Sequence, residues 1–501
     1  MRIMAIALLG VIAGLGAARA DTVTSGTWQP LNQQLCAAGQ PCFAASSPLL
    51  LTDGTVMVQE YCSSRWFRLT PDIDGSYVNG TWSELGSLPA GYAPLYYASA
   101  VLPDGRVIIN GGEYNDTGAG CNPVWTNKGA LYDPTTDSWV SVLPPAGWST
   151  IGDAQSVVLT SGLYMLANCC TTQQALLDIP TMTWSATGSN KADVNDEEGW
   201  TLLPDSSVLT VDTNNLGDVT HAERYLPDSG GWISAGSTIV KLDDTNANGS
   251  GSREMGPQVL RPDGTVFAIG ATGFSAIYRP PGNLSHTGRW EPGPTFPNIA
   301  GQGQFDVADG PAALLPDGNV LVAASPGVFN SPTHFFEFDG TSLTQVSEPP
   351  SAPFEPSFVG HLLLLPTGQV LYTDFSGDVE IYTPSGSPKV PWRPTIEEGP
   401  LTVAHGQSYR IYGKLFNGRS QGSAYGDDYQ GPTNYPLVRI TNLTTGHVFY
   451  CRTFNPSSIG VGNAGRVYTN FTVPSNIELG SSRIEVVANG IPSRPVAATV
   501  F

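Results

Sequence analysis

Seven times along this chain an apolar run breaks at a two-residue turn and restarts, and no other feature narrows the fold as much. The copies occupy residues 49–58, 100–109, 157–166, 202–211, 259–268, 313–322 and 363–372, with turns ending at Gly54, Gly105, Gly162, Ser206, Gly264, Gly318 and Gly368. Four of the turns read Asp-Gly between runs rich in β-branched residues. That pattern signals a hairpin, because the favoured tight turns need a positive φ, where glycine meets no steric cost. A unit recurring at roughly 50 residues argues for radial repetition.

Each hairpin is followed by a second apolar stretch that ends in an aromatic residue, as at Tyr132, Tyr278 and Tyr382. Then comes a tryptophan, at Trp82, Trp139, Trp184, Trp232 and Trp290 in the first five copies. Four strands per copy make one propeller blade. The sixth copy carries Leu343 where the tryptophan would fall, and the seventh enters a linker at 385–394 without a fourth strand. The stretch around Trp28 has the fourth-strand pattern and is expected to close the ring, which removes an exposed sheet edge. Residues 21–392 are thus predicted to form a seven-bladed β-propeller.

The first twenty residues read as a cleavable signal peptide: Arg2, an apolar run too short to stay in a membrane, and a small-x-small site at Ala18-Arg19-Ala20. The mature chain is expected to be secreted or periplasmic. No later stretch suits a membrane span, and a net charge of −20 disfavours nucleic acid as a partner.

Seven cysteines in an exported chain suggest disulfides with one left over. Cys36 and Cys42 can pair within one loop, and Cys62 and Cys121 can bridge the first two blades. Cys169 and Cys170 are adjacent, either as two thiols or as a vicinal disulfide, and Cys451 reads as a buried thiol. With 57 Gly, 41 Pro and 13% charged residues the composition is that of a turn-rich all-β protein. Strand-like runs at 401–403, 408–412, 437–441, 447–450, 467–473 and 482–488 predict an immunoglobulin-like β-sandwich over 393–501.

The whole arrangement resembles the galactose oxidase and glyoxal oxidase family of kelch-repeat proteins, most closely in residues 95–107, 363–370 and 471–493. That resemblance implies a seven-bladed propeller with a C-terminal immunoglobulin-like sandwich, and it supplies the expectation of a copper-radical site. Tyr96 matches the family's cross-linked tyrosine. The partner cysteine position falls near Ala45, with Cys42 three residues earlier. Phe358-Val359 stands where the family has a Tyr-His pair, and the sandwich loop, aligned to 452–460, offers no histidine. His361 alone falls near the expected centre, so the copper ligand set is largely absent and no copper is expected.

Without the family, the repeat itself shows which loops gather on the axis: those entering each first strand and those leaving each second strand. They carry Glu254, Asp309, His361, Tyr96 and Glu198, read as candidate catalytic groups, and Tyr97, Arg253, Glu60, Glu113, Trp200 and Asp153, read as binding groups. Converging carboxylates raise one another's pKa, which prepares acid–base chemistry, and neighbouring aromatic rings suit sugar faces. Asp244, Asn246 and Asn248, with Gly249, place oxygen donors at alternate positions as a calcium loop does. Met255 at the twelfth position departs from that pattern, and a plain Asn/Gly-rich loop is the better reading. The expected function is binding or processing of carbohydrate, or of another small molecule, through an acidic funnel. A copper-radical oxidase with a rearranged site around His361 and Tyr97 and a non-catalytic extracellular interaction platform stand beside it.

Overall fold

Consecutive hairpins of the repeat pair into four-stranded antiparallel sheets. A computed structural model describes residues 26–118, 120–215, 217–244 and 252–501. The expected signal peptide, and Asn246 and Asn248 of the expected calcium loop, lie outside the described residues. The protein is all-β, and among the described residues there are three short 3-10 turns and no helix long and apolar enough to cross a membrane.

Six sheets have four strands each, and a further four-stranded unit forms part of a six-stranded sheet. Strand Thr27–Pro30 pairs antiparallel with Glu380–Thr383, placing Trp28 opposite Tyr382. The Trp28 ring packs against Phe335, Tyr372 and Tyr382, and its indole N–H donates to the Ser347 carbonyl at 2.6 Å. The second strand of each unit, such as Val107–Asn110 or Val320–Ala324, is buried throughout, because sheets pack on both of its faces. The apolar runs therefore read as continuous rather than alternating. Fourth strands such as Ser138–Val142 are largely exposed.

From Thr395 onward, strands Ser408–Lys414 and Val467–Thr472 face Leu437–Asn442 and Gly480–Ala488 across one core. Ile411 and Phe471 meet Val438, Ile440, Ile484 and Val486 in that core. This body lies against the tight turns of the repeat. The Thr453 N–H donates to the Thr52 carbonyl at 3.1 Å and the Asn455 N–H to the Pro103 carbonyl at 2.6 Å. Gly490 and Gly368 meet so closely that a Cβ on Gly490 would stand 2.7 Å from the Gly368 Cα. Segment 452–460 thus sits on the turn face, away from the loops that gather on the axis.

A different segment reaches the axis. Hairpin 422–432, with strands Gly422–Tyr425 and Tyr429–Pro432, adds to the sheet edge at Ala312–Leu314 and touches the first strands of four other units. It is tied there by hydrogen bonds along its length. Ser99 donates through its N–H to Gln430 Oε1 at 3.0 Å and through its hydroxyl to the Gln430 carbonyl at 2.9 Å. Tyr429 donates to the Pro48 carbonyl at 2.6 Å, and Tyr425 to the Phe358 carbonyl at 2.9 Å.

Candidate functional site

The tip of this hairpin, Tyr425-Gly426-Asp427-Asp428-Tyr429, ends among the loops that enter the first strands. There a cavity of about 540 Å³ opens, lined by Glu113, Asp153, Asp196, Glu197, Glu254, Asp309 and Asp428, with Tyr96, Tyr114, Tyr425, Phe329 and Phe358 as its aromatic walls. Three of the lining residues, Tyr96, Glu197 and Asp309, hold a left-handed backbone at φ 53°, 59° and 46°. Each stands shortly before a first strand. Such a conformation costs non-glycine residues of order 1 kcal/mol and persists only where surrounding contacts enforce it.

The carboxyl groups fall into two triads. One oxygen each of Glu113, Asp153 and Asp428 lies within 4.8 Å of the others, and the same holds for Glu197, Glu254 and Asp427. Asp427 Oδ2 accepts the Glu197 backbone N–H at 3.1 Å, which ties the hairpin tip to the loop that enters the fourth unit. Asp153 Oδ1, Glu254 Oε1, Asp309 Oδ1 and Asp427 Oδ1 are buried without a hydrogen-bond partner. Burial, reinforced by neighbouring carboxylates, pushes the acids upward: Glu113 to about 8, Asp309 to about 7 and Asp153 to about 6. Glu197, Asp427 and Asp428 are raised well above the usual carboxylate range for the same reasons.

Aromatic groups pack around these acids. The Tyr96 ring stacks on Tyr425 with centroids 6.4 Å apart and meets Tyr114 edge-on at 6.0 Å. Phe329, which is 70% exposed, stands at the mouth with its edge against Phe358. Arg253 is exposed at the rim, and its guanidinium donates to Asn214 Oδ1. Asp196 is already engaged: the Cys170 thiol donates to its Oδ1 at 3.1 Å and the Asn214 amide to its Oδ2 at 2.8 Å.

Of the residues singled out by sequence, Tyr96, Glu113, Asp153, Arg253, Glu254 and Asp309 come together in this cavity. Five others do not line it. The His361 ring is fully buried against Tyr425, Tyr429 and Phe375, because the hairpin covers it, and burial lowers its pKa to about 3, so it is neutral. Glu198 is committed to a buried ion network, where Lys191 Nζ lies 2.9 Å from its Oε1. Tyr97 is buried and donates to Gln59 Oε1 at 2.6 Å. Glu60 pairs with Arg65 at 3.1 Å, and Trp200 is core, packed on Trp232. Asp244 stands beside Ser252, whose carbonyl accepts its N–H at 2.9 Å.

Tyr425, Asp427 and Asp428 were missed, since they lie in a stretch without an apolar run. Their one sequence signal is the pairing of two tyrosines around Gly-Asp-Asp, a hairpin tip by turn chemistry. Cys36–Cys42 and Cys62–Cys121 form disulfides, and Cys169, Cys170 and Cys451 are free thiols.

No protein-family model matches the chain. A solved structure of a fungal alcohol oxidase of the AA5 family, in complex with copper, is similar at 14% identity and a TM-score of 0.51, covering 95% of this chain and 100% of that one. A streptogramin B lyase is similar at 10% identity and a TM-score of 0.46, over 72% of this chain and 98% of its own. The Kelch-like protein terF of Aspergillus terreus is 33% identical over 137 residues, so that the match spans about a quarter of each chain, 26% in both cases. In its fold the chain is an all-β protein similar to that AA5 alcohol oxidase.

Proposed function

We propose that this is an exported protein, with a propeller over residues 21–392 and an immunoglobulin-like sandwich over 393–501, that binds carbohydrate in the axial cavity and processes it through carboxylate acid–base chemistry. One observation carries this reading: Glu113, Asp153, Asp309 and Asp428 line one open cavity together with Tyr96, Tyr425, Phe329 and Phe358. Carboxylates accept hydrogen bonds from sugar hydroxyls, and aromatic faces cover the apolar faces of sugar rings. Glu113 and Asp153 have pKa values on either side of neutrality, about 8 and about 6, so that one is a proton donor while the other is an acceptor at pH 7.

Copper chemistry fits this donor set poorly. Copper(II) favours imidazole ligands, whereas the cavity offers carboxylates and phenols, and His361 is sealed behind the hairpin. The ring neighbours of Tyr96 are Tyr114, Phe375 and Tyr425, while Cys42 and Cys62 are consumed in disulfides. No catalytic step is therefore assigned to copper.

Retention on a panel of immobilised oligosaccharides, with release of reducing ends followed in parallel, tests the proposal. Wild-type protein should be retained without copper, and Glu113→Gln and Asp309→Asn should each weaken retention at least tenfold. Peroxide formation from primary alcohols by copper-loaded protein, with no glycan retained, would overturn it in favour of the oxidase.

A further inference from the structure

We infer that Glu197, Glu254 and Asp427 form a binding site for a hard divalent cation of the calcium class, set in the wall of the axial cavity. The three carboxylates come from separate segments: the loop entering the fourth unit, the loop entering the fifth and the hairpin tip. One oxygen from each lies within 4.8 Å of the others. Two oxygens on opposite sides of one calcium ion, each at about 2.4 Å, are about 4.8 Å apart, so a single ion can span the set.

A cluster of acids alone would not point to a ligand; here the unpaired oxygens do. Asp427 is fully buried and Glu254 is 5% exposed, yet Asp427 Oδ1 and Glu254 Oε1 have no hydrogen-bond partner. None of the three acids makes a salt bridge among the described residues. The nearby cations are engaged elsewhere, Lys191 with Glu198 and Glu223, Arg253 with Asn214. Buried carboxylate oxygens demand a partner, and two unpaired ones beside a third, half-buried acid match a divalent cation. The donors are all oxygen, which suits calcium better than zinc or copper, whose preferred ligands are nitrogen and sulfur.

Gly426 keeps the approach clear, since a Cβ there would stand 2.7 Å from Glu254 Oε1. Glu197 and Glu254 also line the cavity, so the ion would be open on that side. Its free coordination positions would take ligand hydroxyls, a consequence that rests on the carbohydrate reading above, whereas the ion site itself does not.

Calorimetric titration of chelator-treated protein with CaCl2 at neutral pH tests the site, with the thermal midpoint followed in the same samples. One saturable site that raises the midpoint is expected. Asp427→Asn and Glu254→Gln should each weaken it at least tenfold, and Glu113→Gln should leave it intact. Should Asp427→Asn fail to fold, Glu254→Gln decides alone, because its side chain stands at the cavity wall. Absence of saturable binding, or binding unchanged in Glu254→Gln, overturns the inference. Oligosaccharide retention by a protein that binds no calcium would refute the ion site and spare the proposed function. Calcium binding without any retained glycan would do the reverse.

Discussion

Gly426 and Glu254 belong to segments more than 170 residues apart, and the glycine lies so close that a methyl group on it would meet Glu254 Oε1 at 2.7 Å and the Met255 carbonyl at 2.8 Å. Gly426 also has φ 47°. Alanine at this position would add backbone strain to a clash that only a shift of the hairpin tip relieves. Gly426→Ala should cost about 1–2 kcal/mol in urea unfolding. It should also weaken oligosaccharide retention, because Asp428 moves with the tip. Gly282→Ala, where a Cβ meets nothing within 4 Å, is the control and should change neither.

Lys191 is fully buried, with its ammonium 2.9 Å from Glu198, 2.7 Å from Glu223 and 4.0 Å from Asp212. His221 adds a 2.6 Å contact to Asp212. Removing one partner from a buried ion cluster leaves charge without compensation, a loss of about 3–5 kcal/mol. Lys191→Met should therefore destabilise strongly in chemical denaturation, more than any single substitution of a cavity carboxylate. Equal stability of Lys191→Met and wild type would show that these acids are held neutral.

The all-β class was legible because Asp-Gly turns and apolar runs are local signals, complete within ten residues. The cavity was legible in part for the same reason: Tyr96, Glu113, Asp153, Glu254 and Asp309 can be indexed from the repeat. Glu198 was misplaced because adjacent loop residues point in opposite directions, so Glu197 faces the cavity while Glu198 turns to Lys191, and His361 because hairpin 422–432 covers it. Nothing in the repeat foretells hairpin 422–432. Its strands are polar, and they are buried by the first strands of other units rather than by an apolar pattern of their own.

Glu380 and Glu355, which do not line the cavity, give the protein a pH dependence of their own. They face Asp374 and Asp378, and burial, with these like charges, raises Glu380 to about 8 and Glu355 to about 7. The unfolded chain releases these protons near pH 4.5, whereas the folded chain holds them longer. Stability from this cluster is thus complete below about pH 4.5 and falls as pH rises through 7 to 8. Glu380→Gln should raise the thermal midpoint relative to wild type at pH 8 and make little difference at pH 5. An equal shift at both values would show that Glu380 does not titrate in this range.

The disulfide between Cys62 and Cys121 should couple stability to the site. It joins residues 59 apart, a loop whose closure entropy in the unfolded chain corresponds to about 4 kcal/mol. Strand Cys121–Pro123 pairs with Tyr114–Asp116, which in turn pairs with Pro94–Leu95, and this small sheet carries Glu113 and Tyr96 at its margins. Cutting the bridge frees the edge strand of that sheet from the first unit. Replacing both cysteines by alanine should lower stability by about 2–4 kcal/mol, less than the entropic value, because the flanking hydrogen bonds remain. Retention of oligosaccharide should fall with it, since Glu113 loses its fixed position. Loss of stability with retention unchanged would place the functional contacts on the Glu197–Asp309 side of the cavity instead.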